Sequence, residues 1–181
     1  PVFCPRELHN YAKGPFRHVD MLRENIPELT AAAVSLAHIN VPPAPDGKCR
    51  STPLALQYQN RTYMAMGVEA ATRYLESAAR HGDLMQAGAH RPRLPLNEDG
   101  EFLINYYGQQ TTFDFWPFHK ILAGKFPKNL VENKLVLVGQ TSLGQINADL
   151  ITTPLGEMYG VFVQGTVIDN ILTGSYLVRQ G

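Results

Sequence analysis

Lys134-Leu135-Val136-Leu137-Val138, closed by Gly139, is the stretch that most restricts what this chain can fold into. Its continuous apolar centre fits a central strand covered on both faces. Gly160 to Leu172 then reads as an amphipathic helix, with Val163, Val167, Ile168, Ile171 and Leu172 turned inward and Gly174 past its end. A covered strand followed by such a helix needs a layered domain, with helix packed on sheet.

The rest of the chain supplies matching parts. Met66 to Arg80 is the clearest helix, since Val68, Ala71, Leu75 and Ala78 fall on one face. Glu69/Arg73 and Glu76/Arg80 are i,i+4 pairs in the favoured order, worth about 0.2–0.5 kcal/mol each. Leu54 to Met64 reads as a hairpin with a polar tip at Gln59-Asn60-Arg61. Asn60-Arg61-Thr62 matches a glycosylation sequon, a match that chance also supplies. Ala31 to Val41 fits a buried strand stopped by Pro42-Pro43, Pro45-Asp46-Gly47 a tight turn, and Cys49 to Leu54 a returning strand. Phe102 to Tyr107 is a short strand after the Asp99-Gly100 turn, and Thr111 to Trp116 is extended and aromatic. Pro117 to Ala123 suits a short helix stopped by Gly124. Strands interleaved with helices predict an α/β fold: a single domain with a mixed, partly parallel sheet flanked by helices. Residues 1–29 read as an irregular lead-in and 30–178 as the domain proper.

Composition narrows the function classes. The chain's 181 residues suit one domain with a real core. Lys and Arg number 16, as do Asp and Glu, so the basic excess of a phosphate-driven nucleic-acid binder is missing. No apolar run approaches the roughly 20 residues that span a bilayer. The opening Pro1-Val2-Phe3-Cys4-Pro5 lacks an initiator Met, so a piece of a longer protein is expected and targeting signals cannot be judged. Cys4 and Cys49 are a candidate disulfide, with two unpaired thiols equally open.

Candidate chemistry is sparse. Gly139-Gln140-Thr141-Ser142-Leu143-Gly144 follows the apolar run, but no Lys follows its second Gly and no GxGxxG opens a helix. It reads as a surface loop, yet strand ends of α/β sheets are where ligands bind, so Gly139, Gln140, Thr141 and Ser142 are the first effector candidates. Ser142 lacks both the GxSxG setting and a Ser-x-x-Lys partner. Tyr106, Tyr107, Phe113, Phe115, Trp116 and Phe118 form an aromatic group that packs a core or lines an apolar pocket. Tyr106 and Trp116 are its ligand candidates, and Arg50 is the candidate grip for an anion. The six histidines show no metal spacing, so no metal site and no cofactor are expected. His38, inside an apolar run, is the one to watch as a buried imidazole.

Four segments in order resemble one family, the second type of CHASE domain, a cyclase/histidine-kinase-associated sensing extracellular module. Asn40-Val41-Pro42-Pro43-Ala44-Pro45-Asp46-Gly47 with Arg50, Pro53 and Leu54 is the first. Gly100 to Gly108, carrying Asn105 and Tyr106, with Thr112-Phe113 is the second. Asn133 to Thr141, carrying Gly139, is the third, and Thr153-Pro154-Leu155, Gly160-Val161, Asp169-Asn170-Ile171-Leu172 and Gly174 make the fourth. The pattern breaks at Asn133 (usually Gly), at Gln140 (usually Ala) and across Val161-Phe162-Val163-Gln164-Gly165, which lacks the usual Glu and His.

The resemblance implies a sensory domain of a bacterial transmembrane receptor, on the periplasmic or extracellular side of the cell membrane. It implies a cyclase, histidine kinase or similar output elsewhere, and no catalysis in the domain itself. Partners expected are a small-molecule or protein effector, a second copy in a homodimer, and membrane helices outside this chain. The family usually begins with further strands and a helix, so an N-terminal part is expected to precede this chain. Two other readings stay open: a structural self-assembly or protein-interaction module, and a small α/β enzyme using the loop Gly139–Gly144.

Overall fold

The computed structural model describes residues 16–80, 94–108, 112–141 and 149–178. The hairpin forms as expected. β3 (Ala55–Tyr58) and β4 (Arg61–Met64) pair antiparallel, from Ala55 opposite Met64 to Tyr58 opposite Arg61. Gln59 takes a left-handed φ of 51° at the two-residue turn. β1 (Arg17–His18) lies parallel to β3 on its other edge, so this small sheet is mixed, and the lead-in contributes a strand to it. β2 (Ser51–Pro53) pairs antiparallel with β5 (Glu101–Leu103), and β6 (Leu150–Thr153) with β7 (Gly156–Tyr159).

The helices are α1 (Pro27–Ala32), α2 (Met66–Arg80), α3 (Phe118–Leu122) and α4 (Gly160–Thr173). α2 matches the expected span, with Val68 and Ala71 buried. Glu69 and Arg73 meet at 2.7 Å, and the same Arg73 Nε reaches Ser35 Oγ at 3.0 Å. The expected Glu76/Arg80 pair involves the Arg80 side chain, which lies outside the described residues. α2 packs against α4, where Gly67 lets Val167 approach the helix backbone. Around this contact Phe102, Val163, Val167, Met158 and Ile168 build one apolar core. The fold is α/β, a single small domain in which the strands among the described residues lie in three short sheets.

Two sequence expectations are corrected and a third is shortened. Ala31 to Val41 is not a buried strand. Pro27 opens α1, which takes the first of the alanines, as their helix propensity favours. Beyond it only His38 joins the sheet, through its N–H on the Met64 carbonyl and its carbonyl on the Met66 N–H, both at 2.8 Å. The second correction is Lys134 to Val138, which forms no ladder with any described strand. Leu135 and Leu137 pack on the core, while Val136 and Val138 are 55% and 78% exposed. The run is therefore extended and covered on one face. Continuous apolarity does not distinguish this from a strand covered on both. Phe102 to Tyr107 also shortens, with β5 ending at Leu103.

Candidate functional site

Most of the residues singled out from the sequence turn out to close turns and join elements. Asp46 and Arg50 form a two-pronged pair, Nη1 to Oδ1 and Nη2 to Oδ2, each at 2.7 Å. Asp46 Oδ1 also accepts the Lys48 N–H, and Gly47 supplies the positive φ of 78° that the turn needs. The guanidinium holds the Asp46 carboxyl well below the usual carboxylate range, and that carboxylate pushes Arg50 up. Arg50 is thus engaged within its own turn instead of presenting a free fork to an anion. Thr153 closes another turn: its hydroxyl donates to the Gly156 carbonyl at 2.7 Å and accepts the Leu155 N–H, with Pro154 between. Gly108 sits directly against the Thr112 side chain.

A second group gathers at the far end of α4. Asn170 is fully buried. Its Oδ1 accepts the Asn105 N–H at 2.8 Å and its Nδ2 donates to the Asn105 carbonyl at 3.1 Å. The side chain thereby takes the place of a neighbouring strand just past β5, where Ile104 still donates to the Arg50 carbonyl. Asn105 Nδ2 donates to the Ser175 carbonyl, and the Tyr107 hydroxyl donates to Asp169 at 2.6 Å. Burial, and then the Asp169 carboxylate, push the Tyr107 phenol up. The structure thus joins Asn105, Asp169 and Asn170, and adds Tyr107 and Ser175, which the sequence did not single out as site residues. The signal available was the pair Tyr106-Tyr107, since adjacent residues of an extended chain point to opposite faces.

Tyr106 points inward. Its hydroxyl is buried without a hydrogen-bond partner among the described residues, and burial, with Cys49 nearby, pushes it up. The buried Cys49 is a free thiol here, donating to the Val41 carbonyl at 3.2 Å, and burial raises it. Its candidate partner Cys4 lies outside the described residues. His38 is buried as well. Nδ1 accepts the Asn40 N–H at 3.3 Å, and Nε2 has no partner in hydrogen-bond geometry among the described residues. Burial draws this imidazole down to about 4, opposed weakly by the nearby Pro53 carbonyl, so the ring is neutral at pH 7.

The loop candidates sit at the other end of α4. Gly139 presses on Val161 in the first turn of the helix, and Gln140 and Thr141 are exposed beside it. Ser142 lies outside the described residues. Trp116 is partly exposed, as are Phe115 and Phe118. The positions that lack the family's Glu and His carry packing and a tether. Phe162 stacks on Phe113 at 6.3 Å and meets Phe115 edge-on at 6.4 Å, while buried Gln164 donates to the Ile39 carbonyl at 3.2 Å. Among the described residues no three His, Cys, Asp or Glu side chains converge as a metal site would require. Nor is any described helix long and apolar enough to cross a membrane.

No curated protein and no solved structure matches this chain. A family model does, over residues 6–181, and it describes sensory extracellular domains of signalling receptors that have no catalysis of their own. By that match over nearly its whole length, the chain belongs to the CHASE2 domain family.

Proposed function

We propose that this chain is the extracytoplasmic sensory module of a bacterial transmembrane receptor, residues 30–178 forming its core. Helices outside the chain would tether it, and a cyclase, histidine kinase or similar output would lie across the membrane. The observation that carries the reading is the course of α4. It is buried along most of its length, meets Gly139 at its first turn and holds the Asn105 backbone near its last. Val161 and Asn170 are about 13 Å apart along the axis at 1.5 Å per residue. A rigid element of that length is suited to passing a shift at one end to the other. Gly139, Gln140 and Thr141 form the proposed effector edge.

The test is a thermal-shift screen of the purified chain against small-molecule classes. The expected result is a raised melting temperature with at least one class, lost in a Thr141→Ala variant, since a ligand stabilises the state it binds. Efficient turnover of common esters, phosphates or peptides by the stable fold would sink the non-catalytic reading. A second reading, self-assembly, draws support from the exposed apolar side chains of Phe115, Phe118, Val136 and Val138. Persistent absence of ligand shifts together with concentration-dependent dimerisation would favour it.

A further inference from the structure

The chain leaving α4 is tied to the end of β5 more heavily than helix termination requires. Gly174, at φ 70°, and the Ser175 N–H on the Asn170 carbonyl already close the helix. Past them Asn105 holds the Ser175 carbonyl at 3.3 Å, and Tyr176 stands edge-on to Phe102 at 5.9 Å. The two ties made by α4 itself differ in kind. Asn170 is inaccessible and satisfies two backbone groups of Asn105, so opening it would strand both. Tyr107 is 46% exposed, and its short bond to Asp169 lies where water can replace either partner.

We infer that the Tyr107–Asp169 bond is the releasable half of a latch on the exit of α4, with Asn170 on Asn105 as its permanent half. Bonded, the residues after Gly174 move with β5 and the turn before β2. Released, they keep only the Asn170 anchor, the Asn105 bond to the Ser175 carbonyl and the Tyr176 contact with Phe102. The role of this latch in signalling rests on the sensory reading above; its existence does not.

Hydrogen exchange on the 181-residue chain tests it. Tyr107→Phe should speed exchange of the amides of Leu172 to Tyr176 about three- to tenfold while leaving Val163 to Ile168 unchanged, the size expected for one ordinary solvent-exposed hydrogen bond. Asp169→Asn keeps an acceptor and should give a smaller effect. Unchanged exchange at Leu172 to Tyr176 would overturn the latch. So would equal acceleration along all of α4, which marks plain loss of stability. In the parent receptor Tyr107→Phe should alter basal output without changing effector affinity. A loosened exit with unaltered output would overturn the signalling role. A parent without any receptor output would instead remove the sensory reading and leave the exchange result standing.

Discussion

At the scale of single residues, the decisive groups are buried polar ones. Asn170→Ala leaves the N–H and carbonyl of Asn105 without the partners now at 2.8 and 3.1 Å. The expected loss is about 1–3 kcal/mol, read from urea denaturation, and Asn170→Asp should recover only part of it, because a carboxylate cannot donate to the carbonyl. His38 predicts a pH dependence. Its folded value of about 4 lies below its ordinary value, so between roughly pH 6.5 and 4 the unfolded chain holds a proton the folded chain refuses. Stability should therefore fall as pH drops through that window, by at most roughly 3 kcal/mol, and this contribution should level off below it. Denaturation curves from pH 7.5 to 4 check the sign, and a His38→Gln variant should flatten them. Asp46 acts in a lower window: its depressed carboxyl stabilises the fold above about pH 4 and loses that effect as acid titrates it.

At the scale of elements, the α2–α4 contact and the Lys134–Val138 segment make opposite predictions about small changes. A Cβ at Gly67 would run into the Val167 side chain, so Gly67→Ala should lower stability by about 1–3 kcal/mol by forcing the helices apart. Gly47 has open space around it, and its substitution to Ala should cost about 1 kcal/mol through the positive φ alone. Leu137→Ala should cost about 1–2 kcal/mol, less than a fully buried leucine. Val138→Thr should change stability by under about 0.5 kcal/mol, because that side chain faces outward. Comparable losses at Leu137 and Val138 would mean that the outer face is covered after all.

At the scale of the molecule, the core is continuous: β3, β5, β7, α2 and α4 all contribute to one buried cluster. Phe102, with no exposed surface, sits within it. Phe102→Ala should cost about 3–5 kcal/mol, a large share of the roughly 5–15 kcal/mol that holds a domain of this kind together. Far-ultraviolet circular dichroism and the fluorescence of Trp116, the chain's one tryptophan, should shift to lower denaturant together. Transitions that separate would show that the flank bearing Trp116 unfolds independently of the core.

Local pattern alone determined the hairpin, α2, α4 and the Asp46-Gly47 turn, because each depends on neighbours a few residues away: a two-residue period, a helical face, a glycine with positive φ. The four family segments were readable for the same reason, as short fixed spacings. Local pattern could not say what Lys134 to Val138 lies against, since apolarity records a preference for burial and not the presence of a partner strand. It misassigned Ala31 to Val41 because three alanines suit a helix as readily as an apolar run suits a strand. It gave Arg50 as a ligand grip when Asp46, four residues away, occupies its fork. It gave Asp169 and Asn170 as motif residues without their targets, Tyr107 and Asn105, which lie more than sixty residues earlier in the chain. Pairings over such separations are decided by how the core closes. Only the tertiary structure therefore turned a list of motif residues into turn locks and a fastening of α4 to the end of β5.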